Sequence, residues 1–354
     1  MVSQTNHRAR VLSGLRPTGE IHIGHLAGAL NNWIELQKKY DCYFFVADWH
    51  ALTTHYADTT KLQRDIAANI MDYLAVGIDP KQATLFLQSS VPEHAELHLL
   101  LSLITPLGWL ERVPSYKEQK EQIRDKDLGT YGFLGYPVLQ SADILMYKAD
   151  FVPVGEDQVS HIELTREICR RFNNFYGEVF PEPQPLLTAT PRVPGTDGRK
   201  MSKSYGNTIA LSDPEPVIRE KVANMITDPA RKRRADPGNP DICPVFAYHK
   251  LFSPKETIDM VNVECRRAGI GCVEDKKLMT ENLLQALAPI QERRKQLESK
   301  PNTVRDMLEE GARKAKVTAK ATMDQVRTAM NLKAGAEKTR DGSMKSPAEG
   351  QTAR

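Results

Sequence analysis

The chain has 354 residues, with 48 Lys and Arg against 45 Asp and Glu, a net charge of +3 and a mean hydropathy of -0.46. That length allows one large or two ordinary domains with a real core, and no apolar run approaches the 18 or so residues of a membrane span. The opening MVSQTNHRAR lacks the apolar stretch of a secretory signal, the charge is too small to imply nucleic-acid binding by itself, and five unevenly spaced cysteines (Cys42, Cys169, Cys243, Cys265, Cys272) read as reduced thiols of a cytoplasmic protein.

In chain order, Val11 to Leu15 is a short apolar run that stops at a Pro17/Gly19 turn, as a buried strand would. From His25 the residues Leu26, Leu30, Trp33, Ile34 and Leu36 recur at helical spacing up to Tyr40, and Tyr43 to Val46 is again β-prone. Leu62, Ile66, Ile70, Tyr73 and Leu74 predict a second helix, and Thr84 to Leu87 a third strand. Phe151 to Val154 predicts another strand, leading through Gly155-Glu156-Asp157-Gln158 into a helix over His161 to Phe175. Strands alternating with amphipathic helices predict an α/β fold, a Rossmann-like domain with a parallel sheet and right-handed crossovers, whose ligands bind at the carboxyl ends of the strands. After about Leu211 the strand-like runs fade and helical stretches dominate, such as Leu278 to Leu297 and Val304 to Met330. The expected organisation is therefore 1–211 as the Rossmann-like domain, 212–333 as an all-helical C-terminal domain and 334–354 as a disordered, Lys/Gly/Ala/Ser-rich tail.

Two segments about 175 residues apart carry the chemistry: Pro17-Thr18-Gly19-Glu20-Ile21-His22-Ile23-Gly24-His25, and Lys200-Met201-Ser202-Lys203-Ser204. In the first, Gly14, Gly19 and Gly24 allow tight turns and close approach, a helix start near Gly24 points free N–H groups at a phosphate, and His22 and His25 add ring donors without permanent charge. A metal half-site, for which no third ligand lies nearby, or a pair of surface polar residues are the other readings of such a histidine pair. In the second, Lys200 and Lys203 sit on a Gly/Ser-rich loop able to follow charge onto a departing pyrophosphate. A solvated basic turn is the bland alternative, and the first motif upstream argues against it.

These two strings resemble the paired HIGH and KMSKS motifs of class I aminoacyl-tRNA synthetases. Pro153-Val154-Gly155-Glu156-Asp157-Gln158, then His161-Ile162-Glu163-Leu164-Thr165-Arg166, with Ala142-Asp143-Ile144-Leu145 and Gly108-Trp109-Leu110-Glu111-Arg112, resemble the bacterial tryptophanyl members of that class, and the resemblance runs from about Val11 to about Leu332. It implies that L-tryptophan is activated with ATP and Mg2+ and transferred to tRNA(Trp), by a homodimer with no membrane attachment. Residue by residue it places Arg16, Pro17, Thr18, Gly24, His25, Gly155, Glu156, Asp157, Val193, Lys200, Met201, Ser202, Lys203 and Ser204 at ATP, with His22, His25, Lys200 and Lys203 as the catalytic group. Asp143, Gln140, Gln158, Gly14 and His50 are expected at tryptophan.

Asp143 lies in an otherwise apolar stretch and needs a donor there. An indole N–H only donates and a carboxylate only accepts, so the pairing would reject phenylalanine; a helix cap or an internal ion pair is the alternative. Structural roles are equally open for Gln158, as a helix-start amide, and for His50, as a packed histidine. Gln140 and Arg16 depart from the family, where methionine and glutamine are frequent. Arg231-Lys232-Arg233-Arg234 reads either as a solvated loop or as a tRNA contact, and the resemblance, which implies anticodon recognition by the 212–333 domain, favours RNA. Cys243, Cys265 and Cys272 match positions that hold an iron–sulfur cluster in some relatives, but the fourth position is Asp275, so the site reads as degenerate, with no metal and no cluster expected. The rival readings are a tyrosyl enzyme, a small-molecule adenylyltransferase, and a non-catalytic RNA-binding relative.

Overall fold

Five parallel strands form the centre of the molecule: β1 (Arg10–Leu15), β2 (Asp41–Val46), β3 (Ala83–Leu87), β4 (Phe151–Val154) and β5 (Gln184–Leu187), in the order β3-β2-β1-β4-β5. The computed structural model describes residues 8–114, 116, 127–187 and 193–332, with Asp157 and Ser204 by backbone alone; the expected tail lies outside the described residues. Register runs Arg10↔Asp41 to Leu15↔Val46 on one side of β1, and Val11↔Phe151 on the other. The strand order reverses direction at β1, so the loops after β1 and β4 diverge to opposite sides and leave a crevice between them.

Alternation along the strands sorts side chains onto two faces. Val11, Phe44, Val46 and Leu85 belong to one apolar cluster, and Leu12, Tyr43, Phe45 and Phe86 to the other. On the first face lie α1 (Ile23–His25), a π-helical turn (Leu26–Leu30), α2 (Asn31–Leu36) and α4 (Leu62–Val76), where Trp33 stacks on Phe44 at 4.4 Å between ring centroids. On the second lie α5 (Glu93–Ser102), α7 (Tyr131–Met146) and α8 (Val159–Tyr176). Two short helices, α3 (Asp48–His55) and α6 (Leu107–Leu110), complete this part. Parallel strands covered on both faces explain why the strand sequences read as continuous apolar runs rather than alternating ones.

The helical stretch after residue 211 holds α9 (Glu215–Ala223), α10 (Pro244–Phe252), α11 (Lys255–Arg266), α12 (Cys272–Glu298) and α13 (Pro301–Ala329). Met279, Leu283, Leu287 and Ile290 of α12 join the same cluster as Ile66, Ile70 and Tyr73 of α4. Helix α13 crosses to the other face: Ala312, Ala315, Ala319, Met323 and Val326 recur at helical spacing and join the cluster of Tyr43 and Phe86. Gly311 lies so close to the edge strand that a side-chain carbon there would run into the Leu85 carbonyl, and the Tyr43 hydroxyl meets Thr318 at 3.0 Å. The small-residue stripe thus covers β3, an edge that would otherwise be free to pair.

One buried ion pair ties α12 to α4. Arg294 Nε donates to Asp72 Oδ1 at 2.8 Å, and Asp72 is fully buried. Burial pushes the Asp72 carboxyl up from 3.8 to about 6, against the pull of the Arg294 guanidinium. Across that window the folded chain keeps a proton that the unfolded chain has released, so stability falls as pH rises from about 4 to about 6. Arg294→Met leaves the carboxylate uncompensated and should cost about 3–5 kcal/mol at pH 8 and clearly less at pH 5, read from urea unfolding at the two pH values.

Candidate active site

The turn after β1 is built around a glycine. Gly19 has φ +92°, where a side chain would be strained, and its carbonyl accepts from Asn69 Nδ2 at 2.8 Å. Asn69 is fully buried on α4 and anchors the turn from below. Beyond it, His22 sits just before α1. Its backbone N–H donates to His25 Nδ1 at 3.2 Å, and the two rings lie 3.7 Å apart. Because a backbone N–H only donates, Nδ1 of His25 carries the lone pair and its proton sits on Nε2.

The second motif lies against the first. Ile23 N donates to Ile209 O at 3.0 Å, Leu211 N to Ile21 O at 2.9 Å, and His22 pairs with Ala210 in an antiparallel bridge. The loop itself is held by Asn207, whose Oδ1 accepts from Ser202 N at 2.8 Å and whose Nδ2 donates to Asp197 Oδ1 at 2.7 Å and to Lys200 O at 3.1 Å. Gly195 leaves room for that amide, since a Cβ there would overlap it. Met201 is buried, with its Sδ beside Gly24, and Val193 joins the same apolar cluster.

The loop delivers one lysine and leaves the other outside. Lys203 lies along the turn, its Cδ 3.4 Å from where a Gly19 side chain would begin. Lys200 is exposed and paired through its backbone with Pro194. Burial lowers Lys203 to about 8, although Asp65, Glu20 and Asp72 pull it up. Burial, and then the Lys203 charge, lower His22 to about 4; burial, His22 and Lys203 lower His25 well below its usual range. Near neutral pH the crevice therefore holds one ammonium and two uncharged imidazoles, and His22 Nδ1 is buried with no hydrogen-bond partner.

Across the crevice, Gly155 precedes a 3-10 turn, Glu156–Gln158, that opens α8, with Glu156 exposed. Arg16, Pro17 and Thr18 form the rim after β1, with Arg16 exposed and Pro17 buried. Gly14, expected at the amino acid, faces Phe45: its missing side chain is the space the Phe45 ring fills.

Asp143 is buried inside α7 and surrounded by donors. Oδ1 accepts from His94 Nδ1 at 2.6 Å and Gln88 Nε2 at 2.9 Å; Oδ2 accepts from His50 Nε2 at 2.8 Å and Gln88 Nε2 at 3.1 Å. Burial alone would raise this carboxyl, but the bonds from His50 and His94 bring it down to about 2. The internal network foreseen as an alternative is present here, with His50 a member. Gln140 is half-buried one turn before Asp143. A separate cavity of about 380 Å3 opens between α3 and α7, lined by Trp49, Leu52, Tyr136, Leu139 and His98, and none of the five expected tryptophan residues lines it.

The basic run departs from expectation. Arg231 is buried rather than RNA-facing: its guanidinium donates to Ile270 O at 2.6 Å, to Arg234 O at 3.1 Å and to Cys265 Sγ at 3.8 Å. Arg234 caps the Ala268 and Gly269 carbonyls, while Lys232 and Arg233 are exposed. Both arginines serve carbonyls that the turn before α12 leaves without helical partners. Cys243 and Cys265 are buried and Cys272 is half-buried at the start of α12. Asp275 Oδ1 accepts from His249 Nε2 at 3.1 Å, and among the described residues no group of three or more His, Cys, Asp or Glu side chains is arranged to hold a metal ion.

Sequence reading passed over Asn69, Asn207, Gln88, His94 and Tyr147. Asn69 left a trace, as a polar residue between the apolar positions of a predicted helix; the others carry no periodic or motif signal.

The family model for class I tRNA synthetases (W and Y) matches residues 4–288. A tryptophan–tRNA ligase of Thermotoga maritima is 56% identical over 325 residues, which is 91% of this chain and 99% of that one. One of Aquifex aeolicus is 44% identical over 393 residues, 91% of this chain and 100% of that one. Among solved structures, a tryptophanyl-tRNA synthetase from Campylobacter jejuni complexed with ADP and tryptophan superposes with a TM-score of 0.83 at 34% identity, covering 91% of this chain and 100% of that one. With its two motifs docked at the strand-order reversal of a parallel sheet, the chain belongs to the class I tRNA synthetases, on their bacterial tryptophanyl branch.

Proposed function

We propose that this enzyme is a tryptophan–tRNA ligase, activating L-tryptophan with ATP to the adenylate and pyrophosphate and then charging the 3′ end of tRNA(Trp). The observation that carries the reading is Lys203 laid along the Gly19 turn beside two neutral imidazoles. A substrate carboxylate is already a nucleophile at neutral pH, so activation needs positioning and charge stabilisation rather than a general base. The amino-acid carboxylate attacks the α-phosphorus, the bond to the bridging oxygen breaks, and pyrophosphate leaves. Lys203 follows that charge, with Lys200 swinging in from the rim, while His25 Nε2–H and His22 donate to the α-phosphate region. Mg2+ arrives as part of the nucleotide substrate. Glu156 and Asp157 supply acceptors for ribose hydroxyls at the head of β4, while Gly155, Gly24, Met201, Ser202, Ser204 and Val193 shape the nucleotide cleft. In the second step a ribose hydroxyl of the terminal tRNA adenosine attacks the mixed anhydride, and AMP leaves.

Asp143 is the assigned acceptor of the indole N–H, and Gln140 and Gln158 are assigned as further contacts to the amino acid. Lys232 and Arg233, both exposed and, among the described residues, with no carbonyl to cap, are the members of the basic run assigned to RNA phosphates. The division at residue 211 belongs to this reading: α9 to α12 serve the anticodon, and α13 returns to brace the sheet. Among the described residues no helix is long and apolar enough to cross a membrane; substrates and free thiols together fit a cytoplasmic enzyme. The test is ATP–pyrophosphate exchange with each amino acid in turn, where tryptophan alone should support rapid exchange. Tyrosine-dependent exchange would transfer the assignment to the tyrosyl branch.

Lys203→Ala should slow exchange by orders of magnitude while leaving tryptophan binding nearly intact. Because Lys203 loses its proton near pH 8, kcat/KM for ATP should fall as pH rises through that value. Lys203→Arg stays charged and should move that limb to higher pH, which pH profiles of the two proteins would show.

Leu99 on α5, Leu103 just past its end, Leu107 on α6 and Tyr131 on α7 are exposed large apolar side chains, and we assign them to a contact between subunits. A second copy is the expected occupant. Leu103→Glu combined with Leu107→Glu should convert a dimer to a monomer in sedimentation velocity.

A further inference from the structure

We propose that Tyr147 and His94 are positioning residues for amino-acid recognition: the Tyr147 hydroxyl fixes the His94 ring, His94 and Gln88 hold the Asp143 carboxylate, and His50 keeps the lone pair that the indole N–H takes on binding. This rests on the tryptophan reading above and adds how the acceptor is held and how it is vacated.

A carboxylate offers about four lone-pair directions and no donor. Here all are addressed by three side chains, so an incoming N–H must replace one of them. The three donors are not equivalent. His94 and Gln88 are fully buried, whereas the His50 side chain is 11% exposed at the start of α3. His50 is therefore the partner that can leave without opening the core. Exchange of an imidazole N–H for an indole N–H conserves the hydrogen-bond number, and phenylalanine brings nothing to complete it.

The rear of the network fixes a tautomer. Facing a carboxylate, His94 Nδ1 carries the proton, and in the neutral ring Nε2 is then an acceptor. Tyr147 Oη lies 2.7 Å from Nε2, and in the proposed arrangement it is the donor to that nitrogen. Burial, followed by the nearby Asp143 charge, raises the Tyr147 phenol well above its usual range, so its proton stays in place. The Tyr147 ring is clamped independently, stacked on Tyr43 at 4.6 Å and against Phe86 at 5.5 Å between centroids. Tyr147→Phe therefore keeps the packing and removes only the hydroxyl.

In pyrophosphate exchange, Tyr147→Phe should raise KM for tryptophan about tenfold, the worth of a buried hydrogen bond that fixes its neighbour, and lower the preference for tryptophan over phenylalanine. Its kcat and KM for ATP should stay within about twofold of wild type, since the nucleotide cleft is untouched. Ring 15N spectra should report a single Nδ1–H tautomer of His94 in the wild type and a mixture in Tyr147→Phe, and the His50 resonances should move on adding tryptophan but not phenylalanine. An unchanged KM for tryptophan with unchanged His94 spectra, a parallel rise in KM for ATP, or a His50 signal indifferent to tryptophan would each overturn the inference while leaving the ligase reading intact. A wild-type enzyme without tryptophan-dependent exchange would overturn both.

Discussion

A buried ammonium beside two imidazoles is stable only if the imidazoles carry no charge of their own, and this constraint organises the turn after β1 and the loop docked on it. Lys203 reaches the Gly19 turn because the backbone of 209–211 is hydrogen-bonded to that of 21–23. Its charge and the shared burial drive His22 and His25 toward their neutral forms. Near neutral pH the two uncharged imidazoles then stand as directional donors beside the Lys203 ammonium. Lysine suits this position better than arginine for one reason: as a compact charge on a flexible stem it can follow moving charge.

At Asp143, the residue proposed to receive the indole N–H, the problem is the opposite, a buried anion. Asp143 stays ionised because three buried donors surround it, and those donors are themselves held in place: His94 by Tyr147, and Tyr147 by its stacked neighbours Tyr43 and Phe86. Such networks are worth having only when fully satisfied, since one missing partner leaves a costly orphan. The two halves of the proposed site thus meet the same demand from opposite signs.

Both halves depend on helices from the far end of the chain. Arg294 compensates Asp72 on α4, the helix whose Asn69 anchors the Gly19 turn. Helix α13 seals β3, the strand that leads directly into Gln88. Truncating the C-terminal helices would therefore strip one support from each side of the site.

Much of this was legible in the residues. The strands at 11–15, 43–46, 84–87 and 151–154 and the helix of Leu62 to Leu74 follow from apolar runs and 3.6-residue periodicity, because parallel strands buried on both faces must be apolar throughout. The two lysine and histidine motifs stood out because their chemistry demands particular residue types in adjacent positions. Strand β5, with its exposed ends, and helix α7, apolar nearly all round with Pro137 inside, gave no clean period. What only the tertiary structure decided is partnership: that Asn207 and Asn69 brace the two motifs, that Arg231 turns inward to carbonyls, that α13 leaves the helical region to cover a strand, and that Asp143 already has three donors. Apart from the local bonds of Asn207, these are contacts between residues tens to hundreds of positions apart. A single polar side chain leaves no periodicity by which its distant partner can be read, so the sequence determined the elements and the motifs, and packing decided which polar groups would meet.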